Sequence, residues 1–217
     1  MLPRVKICCI SSIEEARMAI GLGASAIGLV GKMPSGPGPI EDELIRDIAQ
    51  TVPPPIATFL LTSETDAHEI VSHHYRTNTN TIQIVDELTN RNYQMLRKEI
   101  PNVKLVQVIH VIDESSVEEA IAISEAVDAL LLDSGNPKLK VKELGGTGRT
   151  HNWKLSRQIV EKAKVPVFLA GGLSHENVQR AIQEVQPFGI DVCSGVRTNG
   201  MLDPYKLELF FKEIYKG

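Results

Sequence analysis

Three glycine clusters and two acid–base candidates stand at the ends of short apolar runs or in the loops that follow them. The glycine clusters are Gly145-Gly146-Thr147-Gly148, Gly171-Gly172 and Ser194-Gly195. Adjacent glycines let backbone N–H groups approach a ligand closely, and a helix N-terminus behind them favours an anion. Gly146, Thr147, Gly148, Gly171, Gly172, Ser194 and Gly195 are therefore candidate phosphate ligands. A tight turn that needs small residues is the plainer reading of any one cluster. The acid–base candidates are Cys8 or Cys9 at one strand end and Asp133 at another. A thiolate serves as a base where nearby charges lower its pKa, and a carboxyl serves as an acid where burial raises its own. Free cysteines are also ordinary small buried hydrophobes, and Asp133 also reads as a loop-capping carboxylate.

The histidines carry less. His73-His74 reads as solvated helix surface, without an acidic partner at ligand spacing. His110 ends a strand, where it faces either a pocket or the scaffold. Trp153 follows the glycine loop and reads as packing beneath it. No zinc spacing, Walker loop or dinucleotide GxGxxG is present, so no metal site is expected.

These residues need a scaffold that brings strand ends together. Val167-Phe168-Leu169 follows a proline and gives way abruptly to Gly171-Gly172. Ser174 then stands three residues before Asn177 as a capping pattern, with Val178, Ala181, Ile182 and Val185 at helical spacing. The same strand–loop–helix cycle occurs throughout. Strands are expected at Val5–Ile10, Ala26–Val30, Ile56–Leu61, Thr81–Val85, Val103–Ile109, Asp128–Leu132, Val167–Leu169 and Ile190–Cys193. Helices fill the intervals, the first capped by Ser12 with Glu15 and the last running from Tyr205 to Ile214. Short continuous apolar strands alternating with helices indicate a parallel sheet covered by helices. Eight units in 217 residues fit an α/β fold, a single (β/α)8 TIM barrel spanning residues 1–217; an open doubly wound sheet is the alternative. In a barrel all three glycine clusters lie on one arc of the C-terminal face, where loops seven and eight often hold a phosphate.

Bulk composition narrows the partners. Hydrophobic residues make up 42 % and charged residues 23 %, ordinary for a globular chain, and the net charge is −4. With no basic excess, neither nucleic acid nor a membrane surface is an expected partner. Three cysteines point to a reducing compartment, and the N-terminus has no apolar signal region. The expectation is a cytoplasmic protein, monomer or homodimer, acting on a small molecule that carries a phosphate.

Val5-Lys6-Ile7-Cys8, Leu131-Leu132-Asp133, Gly145 through Thr150, Leu169 through Leu173 with Glu176-Asn177-Val178, and Asp191 through Val196 follow one another in this order. Together they resemble the phosphoribosylanthranilate isomerase family of tryptophan biosynthesis, over essentially the whole chain. The resemblance implies a (β/α)8 enzyme without a cofactor that performs an Amadori rearrangement of a phosphoribosyl amine. It implies Cys8 as the general base at sugar C2, Asp133 as the general acid at the ring oxygen, and the glycine loops as the phosphate site. Lys6 and Arg149 are carried over as substrate-binding. Three departures stand out. Cys9 occupies the place of the family's glycine. The loop Met33–Pro39 lacks the arginine that grips the anthranilate carboxylate, a role for which Lys32 or Arg149 is the available cation. Gln83-Ile84-Val85-Asp86 replaces the family's Gln-Leu-His-Gly. Three functions remain open: the isomerase itself, a paralogue acting on another phosphoribosyl amine, and a non-catalytic phosphosugar binder.

Overall fold

The computed structural model describes residues 2–136 and 148–216. Eight parallel strands close into a barrel in sequence order: β1 (Arg4–Ile7), β2 (Ala26–Val30), β3 (Ala57–Thr62), β4 (Thr81–Ile84), β5 (Lys104–His110), β6 (Ala129–Asp133), β7 (Val167–Leu169) and β8 (Gly189–Val192). Closure sets β8 against β1, with Lys6 opposite Asp191. Helices α1 (Ile13–Gly21), α2 (Asp42–Thr51), α3 (Ala67–Thr77), α4 (Tyr93–Glu99), α5 (Ser115–Ile123), α6 (Trp153–Lys162), α7 (Val178–Val185) and α8 (Pro204–Tyr215) surround it. None of the described helices is long and apolar enough to cross a membrane.

Strand side chains alternate faces with a period of two, and the two faces are packed differently. Outward residues such as Ile27, Leu60, Ile82, Leu130 and Ile190 form one continuous core with the helices. Inward residues, among them Phe59, Val106, Ala129, Leu131 and Phe168, fill the barrel as a second core. Lys6, Gln83, Asp133 and Asp191 share that inward parity and are all buried. The barrel thus has an apolar floor and a polar mouth.

Local chemistry explains most element boundaries. The Ser12 side chain accepts from the Glu15 N–H, and the Glu15 carboxylate turns back to accept from the Ser11 N–H, a capping box whose return bond falls one residue before the N-cap. The expectation of a helix capped at Ser174 is corrected. Asn177 Oδ1 accepts from the Ser174 N–H, Asn177 Nδ2 donates to the Gly172 carbonyl, and α7 begins only at Val178. The Asn177 side chain ties the glycine loop to its own helix and so delays the start. A short antiparallel hairpin, β9 (Arg197–Thr198) with β10 (Met201–Leu202), follows β8 and had no signal in the apolar pattern.

His73 and His74 are buried, contrary to the expectation of solvated surface. His73 bonds Thr62 Oγ1 through Nδ1 at 3.0 Å and Asp42 Oδ1 through Nε2 at 3.0 Å. Its acidic partner lies on α2, 31 positions away, beyond the reach of any local pattern. Gly31 leaves room for this ring, since a Cβ there would collide with it. The Thr62 hydroxyl is fully buried, so the arrangement ties β3 to α2 and α3 without access to substrate.

Candidate active site

Cys8 lies one residue past β1, where its N–H still donates to the Val192 carbonyl at 2.8 Å. The ladder therefore holds its side chain on the inward face, above Lys6. Gly28 of β2 makes the space. A Cβ there would sit 2.8 Å from Cys8 Sγ and 2.9 Å from Lys6 Nζ, which places sulfur and ammonium around one point. Lys6 Nζ donates to Asp191 Oδ1 at 2.8 Å and lies 5.2 Å from the centre of the Phe59 ring. Burial pulls the Lys6 pKa down, but the Asp191 carboxylate and the Cys8 sulfur outweigh it and hold the value above the ordinary lysine range. Lys6 is a permanent cation in the barrel.

The two adjacent cysteines differ in charge preference. A hydrogen bond from the Cys9 thiol, followed by the Lys6 charge, lowers the Cys8 pKa against the opposing effect of burial. Hydrogen bonds with Cys193 and then Cys8, together with burial, push the Cys9 pKa well up. Of the two, Cys8 is biased towards the thiolate and Cys9 towards the thiol. Both face the cleft, because Cys9 adopts a φ of 61° and breaks the strand alternation. Left-handed backbone is strained for a residue with a Cβ, which fits this position being one where the related family is expected to carry glycine.

Asp133 ends β6 and lines the same cleft as Cys8. Burial raises its pKa, only partly offset by the Ser134 N–H that donates to Oδ1 at 2.7 Å. The cleft therefore contains a base that prefers to be charged and an acid that prefers to be neutral, the pairing that proton transfer requires.

The described parts of the three glycine clusters come together beside this cleft. Gly172, at a φ of 61°, packs against Arg149 and Thr150; a Cβ there would lie 2.6 Å from the Arg149 carbonyl carbon. Gly195 lies against the Leu173 carbonyl with no room for a side chain, and Gly148 lies near Ser194. Gly148, Gly171, Gly172 and Ser194 line one small recess, which shares Asp191 and Cys193 with the Cys8 cleft. Ser194 opens a 3-10 turn that continues to Val196. Gly146 and Thr147 lie outside the described residues. His151 lies beside Gly171, and burial lowers its pKa to about 4, so it sits there as a neutral imidazole bonded to Ser156 Oγ at 2.7 Å.

The other mouth of the cleft is closed by the loop after β2. Met33, Ser35, Gly36 and Pro37 line it, Cys9 Sγ approaches the Pro37 carbonyl at 3.6 Å, and Gly38 packs on Cys9. With Val30, Leu61, Val85 and Leu131 this end is largely apolar, and among the described lining residues none is Lys or Arg. Lys32 is exposed and outside that lining. The Arg149 backbone lies against Gly172, on the glycine side. His110 bonds the Val85 carbonyl at 3.1 Å and lines a neighbouring cavity with Asp86, Tyr93 and Gln107 instead of the Cys8 cleft.

Asp191, Gln83 and Cys193 are site residues that sequence reasoning passed over. A signal existed for Asp191: a lone carboxylate inside the apolar strand Gly189-Ile190-Asp191-Val192, at inward parity, as Lys6 is in β1. Gln83 is buried in the cleft, and among the described residues its Oε1 has no hydrogen-bond partner.

The chain is similar to known proteins over nearly its whole length. Residues 5–213 match the family model described as N-(5'phosphoribosyl)anthranilate (PRA) isomerase. N-(5'-phosphoribosyl)anthranilate isomerase 2 of Methanosarcina mazei is 37 % identical over 206 residues, covering 94 % of this chain and 90 % of that one. The isomerase of Nostoc punctiforme is 32 % identical over 213 residues, covering 97 % and 98 %. Among solved structures, N-(5'-phosphoribosyl)anthranilate isomerase from Pyrococcus furiosus has a TM-score of 0.82 at 28 % identity, covering 99 % of this chain and all of the other. A phosphoribosyl anthranilate isomerase in complex with reduced 1-(o-carboxyphenylamino)-1-deoxyribulose 5-phosphate has a TM-score of 0.79 at 26 % identity, with 99 % and 100 % covered. The chain belongs to the N-(5'-phosphoribosyl)anthranilate isomerase family.

Proposed function

We infer that this protein isomerises N-(5-phosphoribosyl)anthranilate to the 1-(o-carboxyphenylamino)-1-deoxyribulose 5-phosphate skeleton by acid–base catalysis. The observation that carries this reading is one cleft lined by Cys8, whose pKa is lowered, and Asp133, whose pKa is raised, continuous through Asp191 and Cys193 with the glycine recess. The sugar phosphate sits on the N–H groups of Gly148, Gly171, Gly172, Ser194 and Gly195, with Gly146 and Thr147 carried over from the resemblance. That anchor sets the furanose between acid and base. Asp133 gives its proton to the ring oxygen as the C1–O bond breaks, leaving an open-chain iminium. Cys8 removes the C2 proton, and the electron pair forms the C1–C2 double bond of an enolamine. A proton delivered to C1 and the loss of the O2 proton then give the ketone. Two transfers by positioned groups contribute roughly 10²–10⁴-fold each. Lys6 keeps Cys8 anionic from below, so its proposed contact with substrate becomes an electrostatic role. Gln83 supplies a free amide oxygen for a sugar hydroxyl. The cysteines, all free, support a reducing, cytoplasmic setting.

The absence of Lys and Arg among the described residues at the Met33–Pro37 end favours one other reading, a phosphoribosyl amine without the anthranilate carboxylate. Steady-state fluorescence with phosphoribosylanthranilate decides between the two, together with rescue of a tryptophan auxotroph lacking this step. Turnover and rescue are expected; failure of both at high enzyme concentration overturns the anthranilate reading. Cys8→Ala and Asp133→Asn are expected to abolish turnover while phosphate binding persists, which excludes a pure binder.

A further inference from the structure

The mouth of the barrel holds a pair of sulfurs that transfer no proton to or from the substrate in the proposed isomerisation. Cys9 Sγ and Cys193 Sγ approach to 2.6 Å, joining the end of β1 to the end of β8 across 184 positions of chain. Both are free thiols, Cys9 buried and Cys193 partly exposed, and Cys193 faces both the Cys8 cleft and the glycine recess. The reduced Cys9 thiol is also the donor that stabilises the Cys8 thiolate. Few positions could couple a thiol–disulfide change to the catalytic base more directly.

We propose that Cys9 and Cys193 are a reversible oxidation site, whose reactant is a small-molecule disulfide and whose product is an internal disulfide that disarms Cys8. The partly exposed Cys193, as thiolate, attacks one sulfur of the small disulfide and expels one small thiolate, leaving a mixed disulfide on Cys193. Cys9 then gives its proton to the small thiolate already expelled and attacks Cys193 Sγ, and the second small thiolate leaves. Two electrons move from the two protein thiols to the small disulfide, which departs as two thiols. The new bond removes the S–H that Cys8 accepted, and the Cys8 pKa rises towards its ordinary value. A reducing thiol reverses each step. The effect on turnover rests on the isomerase reading above; formation of the bond does not.

The experiment treats the full-length protein with oxidised glutathione and then with dithiothreitol, reading intact mass, non-reduced peptide maps and turnover. The expected product has lost two hydrogen masses and contains the peptide of Cys8-Cys9 joined to that of Cys193. Cys8→Ala should still form the link, whereas Cys9→Gly and Cys193→Ser should not; glycine suits the left-handed backbone at position 9. In the unaltered protein turnover at neutral pH is expected to fall about tenfold as the ionised fraction of the base drops. Dithiothreitol should restore it. In Cys193→Ser the ratio of oxidised to untreated activity should be near one, whatever that variant's own rate. The proposal is overturned if no link forms, if Cys8→Ala loses it, if glutathione is retained only as a mixed disulfide, or if Cys193→Ser is inactivated equally. A protein that forms the link yet never turns over phosphoribosylanthranilate would sink the functional reading and leave the oxidation site standing.

Discussion

Lys6–Asp191 and Glu15–Arg197 are both buried ion pairs that join the start of the chain to its last quarter, and both touch Cys8. Their surroundings differ. Arg197 donates to both Glu15 oxygens at 3.0 Å, to the Gly200 carbonyl at 2.9 Å and to the carbonyls of Cys8 and Cys9. Glu15 accepts in addition from the N–H groups of Ser11 and Leu202. That network is nearly closed on itself and ties α1, the end of β1 and the β9–β10 hairpin into one unit. Lys6 has the single carboxylate Asp191, a ring face and the Cys8 sulfur. A pair with many partners commits its charge to the scaffold; a pair with few leaves charge directed at a reacting atom. Burial alone does not distinguish them, for both are well shielded from solvent.

The contrast can be broken by substitution. Lys6→Met should give the largest effect, a loss of roughly 10²–10⁴-fold in kcat/KM as Cys8 loses the cation that keeps it ionised. The single change also strands the Asp191 carboxylate, so the sharper variant is Lys6→Met with Asp191→Leu. Replacing both partners of a buried pair by apolar residues is often neutral for stability. The double variant should therefore unfold in urea near the parent midpoint yet remain inactive. Recovery of turnover in it would remove the electrostatic role of Lys6.

Arg197→Met should do the reverse. Breaking one side of a buried pair costs about 3–5 kcal/mol, read as a lowered denaturation midpoint, while the kcat of the remaining folded protein stays within a few fold. An equal loss of kcat would show that Arg197 acts on Cys8 through its backbone carbonyl, and the distinction between the pairs would fall.

The acid limb of stability sharpens it further. The Glu15 pKa is lowered because the Arg197 side chain and two backbone N–H groups outweigh burial. A carboxylate depressed in the folded state contributes stability that is full above its unfolded value and is lost as pH falls through the folded one. Urea midpoints should drop as pH falls below the ordinary glutamate value of 4.5, and Glu15→Gln should flatten that slope. Turnover follows different groups. It rises as pH rises through the lowered Cys8 pKa and falls as pH rises through the raised Asp133 pKa. Cys9→Gly removes a donor to Cys8, so the Cys8 limb should move to higher pH while the Asp133 limb stays.

The smallest effect is expected at Gly172→Ala. The left-handed backbone and the contact with Arg149 should cost on the order of 1–3 kcal/mol, seen chiefly as a raised KM for the phosphosugar because the recess is displaced.

Local pattern and long-range closure divided the determination of this protein between them. The period-two strands, the helical spacing and the eightfold alternation depend only on neighbours in sequence, and the barrel follows from them. So do strand ends, which is why Cys8, Asp133 and the glycine loops were legible in the sequence as candidates for the site. Orientation was less so. That Cys9 enters the cleft beside Cys8 turned on one backbone angle at Cys9, where Gly38 and Pro37 pack against it. The pairing of Lys6 with Asp191 spans 185 positions and exists only because β8 closes against β1. The partners of His73 and the fit of Gly195 against Leu173 likewise need elements brought together from afar. A chain states its own periodicity and its own breaks, but a charge acquires its partner, and a thiol its pKa, only from what closure sets beside it.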